Sequence, residues 1–234
     1  MVNPSDGDIP LAPDLLPGVR GSRVALAGLL FAALFLLAWL LLLESPSSDA
    51  SDDELLAYYG SPDQRRGSMI AGLYVVPFAG IAFIWFMAAL RDRYVRTATR
   101  EHTILSTAHV VAGALVVVSL FTLAAVELAV VWLAEADHAF DVDGARSLLA
   151  LGQASSDIMA LRSAAVFVGV SASRGVRSGL FPRSFGAASL ATALALLAAN
   201  GAAPWVSLVF PAWVAASAVL ILARRRSTEM ADGA

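Results

Sequence analysis

The sequence predicts an all-α protein, a polytopic membrane bundle of six transmembrane helices with both termini cytoplasmic and one short extracytoplasmic helix between helices 1 and 2. Three observations carry that expectation. The chain is 58% hydrophobic and 15% charged, with a mean hydropathy of +0.71, which lies outside the range of soluble globular domains. Its apolar residues are gathered in runs of about 20, the length a helix needs to cross a hydrocarbon core about 30 Å thick. The 16 basic residues are all arginine, and they crowd alternate loops.

Residues 1–19 hold four prolines and three aspartates with little periodicity, which predicts a disordered cytoplasmic tail. Residues 20–226 form the membrane domain, and a short cytoplasmic tail, 227–234, follows it. Helix 1 (about 24–43) is an apolar run too long for the core of a secretory signal. Glu44-Ser45-Pro46 follows with no small-residue cleavage site, so an uncleaved anchor is expected. In the acidic stretch after it, Ser51 and Glu54 have capping-box spacing, and Gly60 stands near a helix end. Leu55, Leu56, Tyr58 and Tyr59 of this short helix are expected on the bundle or in the headgroup zone.

Helix 2 (about 69–90) contains Pro77, which predicts a kink, and a basic loop begins at Arg91. Helix 3 (about 104–133) is long enough that it must tilt or project from the bilayer. A second acidic loop, 135–143, leads to helix 4 (about 147–172). Helix 5 (about 185–199) is rich in Gly, Ala and Ser, which suits close backbone packing, and Asn200-Gly201 form a tight turn. Helix 6 (about 205–223) ends at Arg224-Arg225-Arg226.

Arginine asymmetry orients the bundle. With the N-terminus cytoplasmic, the inner side carries twelve arginines: Arg20 and Arg23, Arg91, Arg93, Arg96 and Arg100, Arg174, Arg177 and Arg183, and the 224–226 triplet. The outer side carries Arg65, Arg66 and Arg146 alone. Trp39, Trp132 and Trp205 then fall near the outer interface, where an aromatic belt belongs. The expected location is the plasma membrane, multi-pass.

Helix 4 is the exception among these runs. It carries Gln153, Ser155, Ser156, Asp157 and Arg162 mid-span. The nine Leu, Ile, Val and Phe residues of 148–170 favour insertion by about 3–5 kcal/mol, whereas Asp157 and Arg162 oppose it by about 5–7 kcal/mol. The segment therefore needs neighbouring helices. Ionisable groups within a membrane are functional candidates, and Glu127 on helix 3 joins Gln153, Asp157 and Arg162 in an expected intramembrane polar cluster. Counting from the helix ends puts Glu127 and Asp157 at similar depth. The cluster has two open readings. It is either a packing device that fixes helix register or a proton- or ion-coupled site using Glu127, Asp157 and Arg162.

Other chemistry is thin. There is no cysteine, hence no disulfide or thiolate metal site. His102 and His109, seven residues apart, lack further ligands nearby, so a satisfied interfacial pair is expected rather than a metal, and His138 is expected in solvent. Asp143-Gly144-Ala145-Arg146 falls short of the multi-carboxylate motif of CDP-alcohol phosphotransferases, lacking its internal gap and its second downstream aspartate. Gly175-Val176-Arg177-Ser178-Gly179 is one residue too long for the rhomboid protease GxSG, and no helical histidine is placed as its base. No catalytic residue, metal or cofactor is assigned. A net charge of −3 with no basic stripe outside the membrane flanks gives no case for nucleic acid.

Gly179-Leu180-Phe181-Pro182-Arg183-Ser184-Phe185-Gly186 resembles a GxxPRWLG-like turn between helices 4 and 5, with Ser184-Phe185 in place of Trp-Leu. Glu54-Leu55-Leu56-Ala57-Tyr58-Tyr59 and the segment from Phe83 to Arg91 fit the same pattern. On these residues the chain resembles the uncharacterised six-helix integral membrane proteins of high-GC, actinobacterial-type bacteria. The resemblance implies an architecture and no chemistry, and Asp157 lies outside the shared pattern. In the turn itself, Gly179 permits a positive φ, Pro182 starts helix 5 and Arg183 faces phosphate headgroups. The expected function is that of a structural or partner-binding membrane component. Its partners would be the bilayer and a second copy or another membrane protein, with a small transporter as the alternative.

Overall fold

The computed structural model describes residues 17–97, 103–136, 140–199 and 204–232. The expected tail before Pro17, His102, His138 and the Asn200-Gly201 turn lie outside the described residues. Among the described residues every regular element is helical.

Helix α1, Pro17–Leu41, begins earlier than the apolar run, with Pro17 in the first turn where its missing N–H costs nothing. Helix α2, Asp52–Gly60, carries the expected capping box. The Glu54 N–H donates to Ser51 Oγ at 3.3 Å, and the Ser51 N–H donates to the Glu54 carboxylate at 2.9 Å. The helix stops at Ser61, held extended before Pro62, as a residue preceding proline tends to be.

Helix α3, Pro62–Ile70, a π turn at Ala71–Val75 and helix α4, Val76–Thr97, form one continuous rod. The kink expected at Pro77 takes the form of this π turn. Val76 N–H reaches Ala71 O, five residues back. Proline has no N–H, and its ring would press on the carbonyl four residues earlier; widening the preceding turn relieves both. The basic loop expected from Arg91 is helical as far as Thr97, since nothing in Arg-Asp-Arg-Tyr-Val-Arg breaks a helix.

Helix α5, Thr103–Glu135, is a single 33-residue rod. Helix α6, Val142–Ala154, is N-capped by Asp141, whose carboxylate accepts from Gly144 N–H at 3.0 Å. A second π turn, Ser155–Ala160, joins it to helix α7, Leu161–Arg177. Hydropathy does not signal this interruption. It falls on Ser155-Ser156-Asp157 and packs against α5. Helix α8, Arg183–Ala198, follows an extended Pro182. A 3₁₀ turn, Pro204–Leu208, precedes helix α9, Val209–Asp232, which continues through the tail expected after 226.

Four helical stretches are long and apolar enough to cross a membrane among the described residues: Arg23–Leu41, Pro62–Tyr94, Ile104–Glu135 and Trp205–Arg224. Arg183–Ala198 is a shorter apolar helix. Many large apolar side chains point outward, among them Leu26, Leu40, Trp85, Leu190 and Leu194, the arrangement of a bundle bathed in lipid.

In cross-section α1 lies between α9 and α4, α4 meets α5, α5 meets α7, and α7 meets α8, while α9 touches α7 and α8 only sparingly. Aromatic rings fill the centre. Phe83 lies 5.0 Å from Phe31, 5.1 Å from Phe167 and 5.4 Å from Phe210, centroid to centroid. Where α1, α4 and α9 approach most closely stands Gly28, whose missing Cβ would lie 2.9 Å from Phe86 and 3.0 Å from Ala218.

A smaller core docks α2 on the ends of α5 and α6. Leu55, Tyr58 and Tyr59 are buried there against Val130, Val131, Ala145 and Leu149, and Leu56 stays exposed. Arg146 fastens the connection after α1 by donating to Ser48 O and Ala50 O, both at 2.8 Å, and to the Asp52 carboxylate at 2.6 Å. At the far end, Gly179 ends α7 with φ +71°. There the Phe181 N–H reaches back to Gly175 O at 2.9 Å, and Arg224 from α9 donates to Gly179 O at 2.7 Å.

Candidate functional site

The polar residues singled out in the sequence occupy three separate places. Glu127, on α5, is 7% exposed. Its neighbours come from the segments that precede it in the chain. The Ser68 hydroxyl of α3 lies within hydrogen-bonding reach, and Tyr58 and Tyr59 of α2 are close enough to feel its charge. Hydroxyls link these groups onward. Tyr58 Oη is 3.1 Å from Ser68 Oγ, and Ser45 Oγ is 3.5 Å from both Ser68 Oγ and Tyr59 Oη. Glu127 Oε2 has no hydrogen-bond partner among the described residues. Burial pushes the Tyr58 and Tyr59 phenols above their ordinary value, and the nearby Glu127 carboxylate acts in the same direction.

Gln153 lies on the surface, its Oε1 accepting from the Ser48 hydroxyl at 3.0 Å. It ties α6 to the connection after α1 and has no bond to Asp157. Asp157 sits in the π turn, half-buried, and the Arg162 guanidinium donates to the Asp157 backbone carbonyl. No ion pair links Glu127 to Arg162 among the described residues; the pairs formed at this end are Arg65 with Glu135 at 3.6 Å and Arg146 with Asp52 at 2.6 Å. Thus Asp157 and Arg162 are brought together, through a backbone carbonyl, while Glu127 and Gln153 each have other partners.

A second polar group, toward the Arg174 end of the bundle, was not legible as a cluster. His109 is fully buried beside Phe167, ring centroids 4.5 Å apart, with Nδ1 3.1 Å from Ser171 Oγ. The Tyr94 hydroxyl donates to Ser171 O at 2.9 Å, and the Arg174 guanidinium stacks 4.7 Å from the Tyr94 ring. Arg91 Nε donates to Ser106 Oγ at 3.4 Å. The expected interfacial pair of His102 and His109 is described at His109 alone, whose partner Ser171 comes from α7, far along the chain.

Two cavities border the Glu127 group. A basin of about 590 Å³ opens on the acidic side, walled by Glu44, Asp49, Glu54 and Tyr58. A deeper cavity of about 360 Å³ lies inside the bundle between α1, α4, α5, the second π turn and α9. Ser45 lines both. No group of three or more His, Asp or Glu residues suited to a metal occurs among the described residues. The geometry can hold helices in register, present one buried carboxyl to hydroxyl partners, and enclose a small apolar volume. No family model, curated protein or solved structure matches the chain.

Proposed function

We propose that the chain is a six-span integral membrane protein of the plasma membrane, with α1, α3–α4, α5, α6–α7, α8 and α9 as its crossings. Both ends are cytoplasmic and α2 lies outside. It acts as a structural or partner-binding component rather than an enzyme. The four long apolar helices and the arginine asymmetry support the topology. The resemblance of the Gly179–Gly186 turn to that of six-helix membrane proteins of high-GC bacteria is in keeping with it. One observation carries the functional part. Two of the polar side chains inside the bundle face partners on other elements: His109 is 3.1 Å from Ser171 Oγ of α7, and Glu127 lies within reach of the Ser68 hydroxyl of α3. Polar contacts between helices are a recognised means of fixing register within a membrane.

A proton-coupled transporter is the second reading, favoured by the unpartnered Glu127 Oε2 beside a chain of hydroxyls. An acid pulse on proteoliposomes containing a trapped pH dye separates the two. Wild type is expected to acidify no faster than empty vesicles. Faster acidification that Glu127→Gln abolishes would replace the structural reading with the transporter.

A further inference from the structure

Asp157 and Arg162 leave the chain with unmet charge on an apolar outer face. The Asp157 carboxylate accepts no hydrogen bond and forms no ion pair among the described residues, although the Arg162 charge is near enough to act on it. Arg162 gives one N–H to the Asp157 backbone carbonyl, and its remaining N–H groups have no acceptor among the described residues. Both residues are half-buried. The face around them is apolar: Leu151 is 56% exposed, Ile158 64% and Val166 44%. Ile158, Arg162 and Val166, each four residues from the next, form one outward stripe, and Asp157 borders it.

The π turn brings the two charges together. At about 100° per residue an α-helix would hold positions 157 and 162 about 140° apart, whereas i→i+5 bonding draws residue 162 towards the azimuth of residue 157. The Arg162 side chain leans towards the N-terminus of its helix. Its guanidinium therefore lies level with Asp157, although the two Cα atoms are about 7 Å apart along the axis. Asp157 in turn stands about 30 Å along the helix from Arg177, so the pair shares one depth in the outer part of the span.

A carboxylate and a guanidinium at one depth on one lipid-facing stripe are complementary to themselves. A two-fold axis along the membrane normal preserves depth, so it can set each Asp157 against the partner's Arg162, and the isologous contact then occurs twice. We infer that two copies of the chain pair through α6–α7, with Asp157 of each protomer bonded to Arg162 of the other and Ile158 close to the axis. Carboxylate and guanidinium match each other in directed, charge-assisted bonds, and helices in lipid associate through such polar contacts. An unlike partner would have to present both charges at the same spacing, which a second copy does by symmetry. The pairing deepens the reading of the chain as a partner-binding component and rests on its membrane-spanning part, which topology mapping tests separately.

Because the chain has no cysteine, Ile158→Cys places a single thiol near the axis. In membranes oxidised with copper phenanthroline this variant is expected to give a disulfide-linked dimer. Trp85→Cys, at a similarly exposed position on α4, is not. Charge reversal identifies the contact. Asp157→Arg leaves only cations on the stripe and Arg162→Asp only carboxylates, so either reversal alone is expected to lower the Ile158→Cys cross-link about tenfold. Co-expressed with different tags, the two reversed chains are expected to regain it as a mixed dimer, since each then meets the opposite charge. If a reversed chain does not keep the wild-type melting temperature, the comparison of Ile158→Cys with Trp85→Cys decides. Four results would overturn the inference: no cross-link at Ile158→Cys, as when head groups alone meet the charges; equal cross-linking at both positions; a wild-type level of dimer in either reversed chain alone; or folded reversed chains that do not recover together.

Discussion

Glu127 lies beside the Ser68 hydroxyl and forms no ion pair among the described residues, so its negative charge is not what keeps it in place. Glu127→Gln retains an acceptor for Ser68 and should leave stability within about 0.5 kcal/mol of wild type. Glu127→Ala removes the acceptor within reach of Ser68 and should lose about 1–3 kcal/mol. Thermal unfolding in detergent reads both. Tyr58 and Tyr59 add a pH signature. Their phenols are raised above the ordinary value of 10.0 by burial, so at high pH the unfolded chain ionises them before the folded one does. The stability they contribute is present below about pH 10 and is lost as pH rises toward the folded-state values. Tyr59→Phe should therefore flatten the alkaline fall of the melting temperature. Glu127 was legible in the sequence because an ionisable residue in an apolar run stands out. Its partners were not, because Tyr58 and Ser68 reach it only once α2 and α3 fold against α5.

At the level of elements, the features legible in the sequence are the purely local ones. The Ser51–Glu54 box, the positive φ of Gly179 and the start of α8 after Pro182 are each set by a few adjacent residues. Ser51→Ala should cost about 1 kcal/mol of α2 stability, measured as faster amide exchange across 52–60 with little change in the membrane helices. The π turns divide along the same line. The one before Pro77 follows from a proline that any reader of the sequence can find. The one at Ser155–Ala160 depends on how the polar triplet packs against α5, and hydropathy registers it only as a marginal segment. Charged residues carry α4 past its apolar part, from Arg91 to Thr97, where hydropathy has no signal for a helix end.

For the molecule as a whole, the all-helical architecture follows from composition and run length alone, since backbone groups in lipid must be satisfied within the helix itself. The order of packing was beyond the sequence. Nothing in the apolar stretches says that α1 lies between α4 and α9, because Leu, Val and Phe recur on every face of these helices; the Gly28 contact and the Phe83 ring cluster become visible only in three dimensions. The proposed six-span topology with cytoplasmic ends can be mapped directly, since the chain has no cysteine. Single substitutions Ser47→Cys, Asp143→Cys, Asp92→Cys and Ser178→Cys are exposed to a membrane-impermeant maleimide, first on intact spheroplasts and then after lysis. The topology predicts labelling of Ser47→Cys and Asp143→Cys on intact cells, and of Asp92→Cys and Ser178→Cys only after lysis. Labelling of all four from the outside, or the inverse pattern, would contradict it.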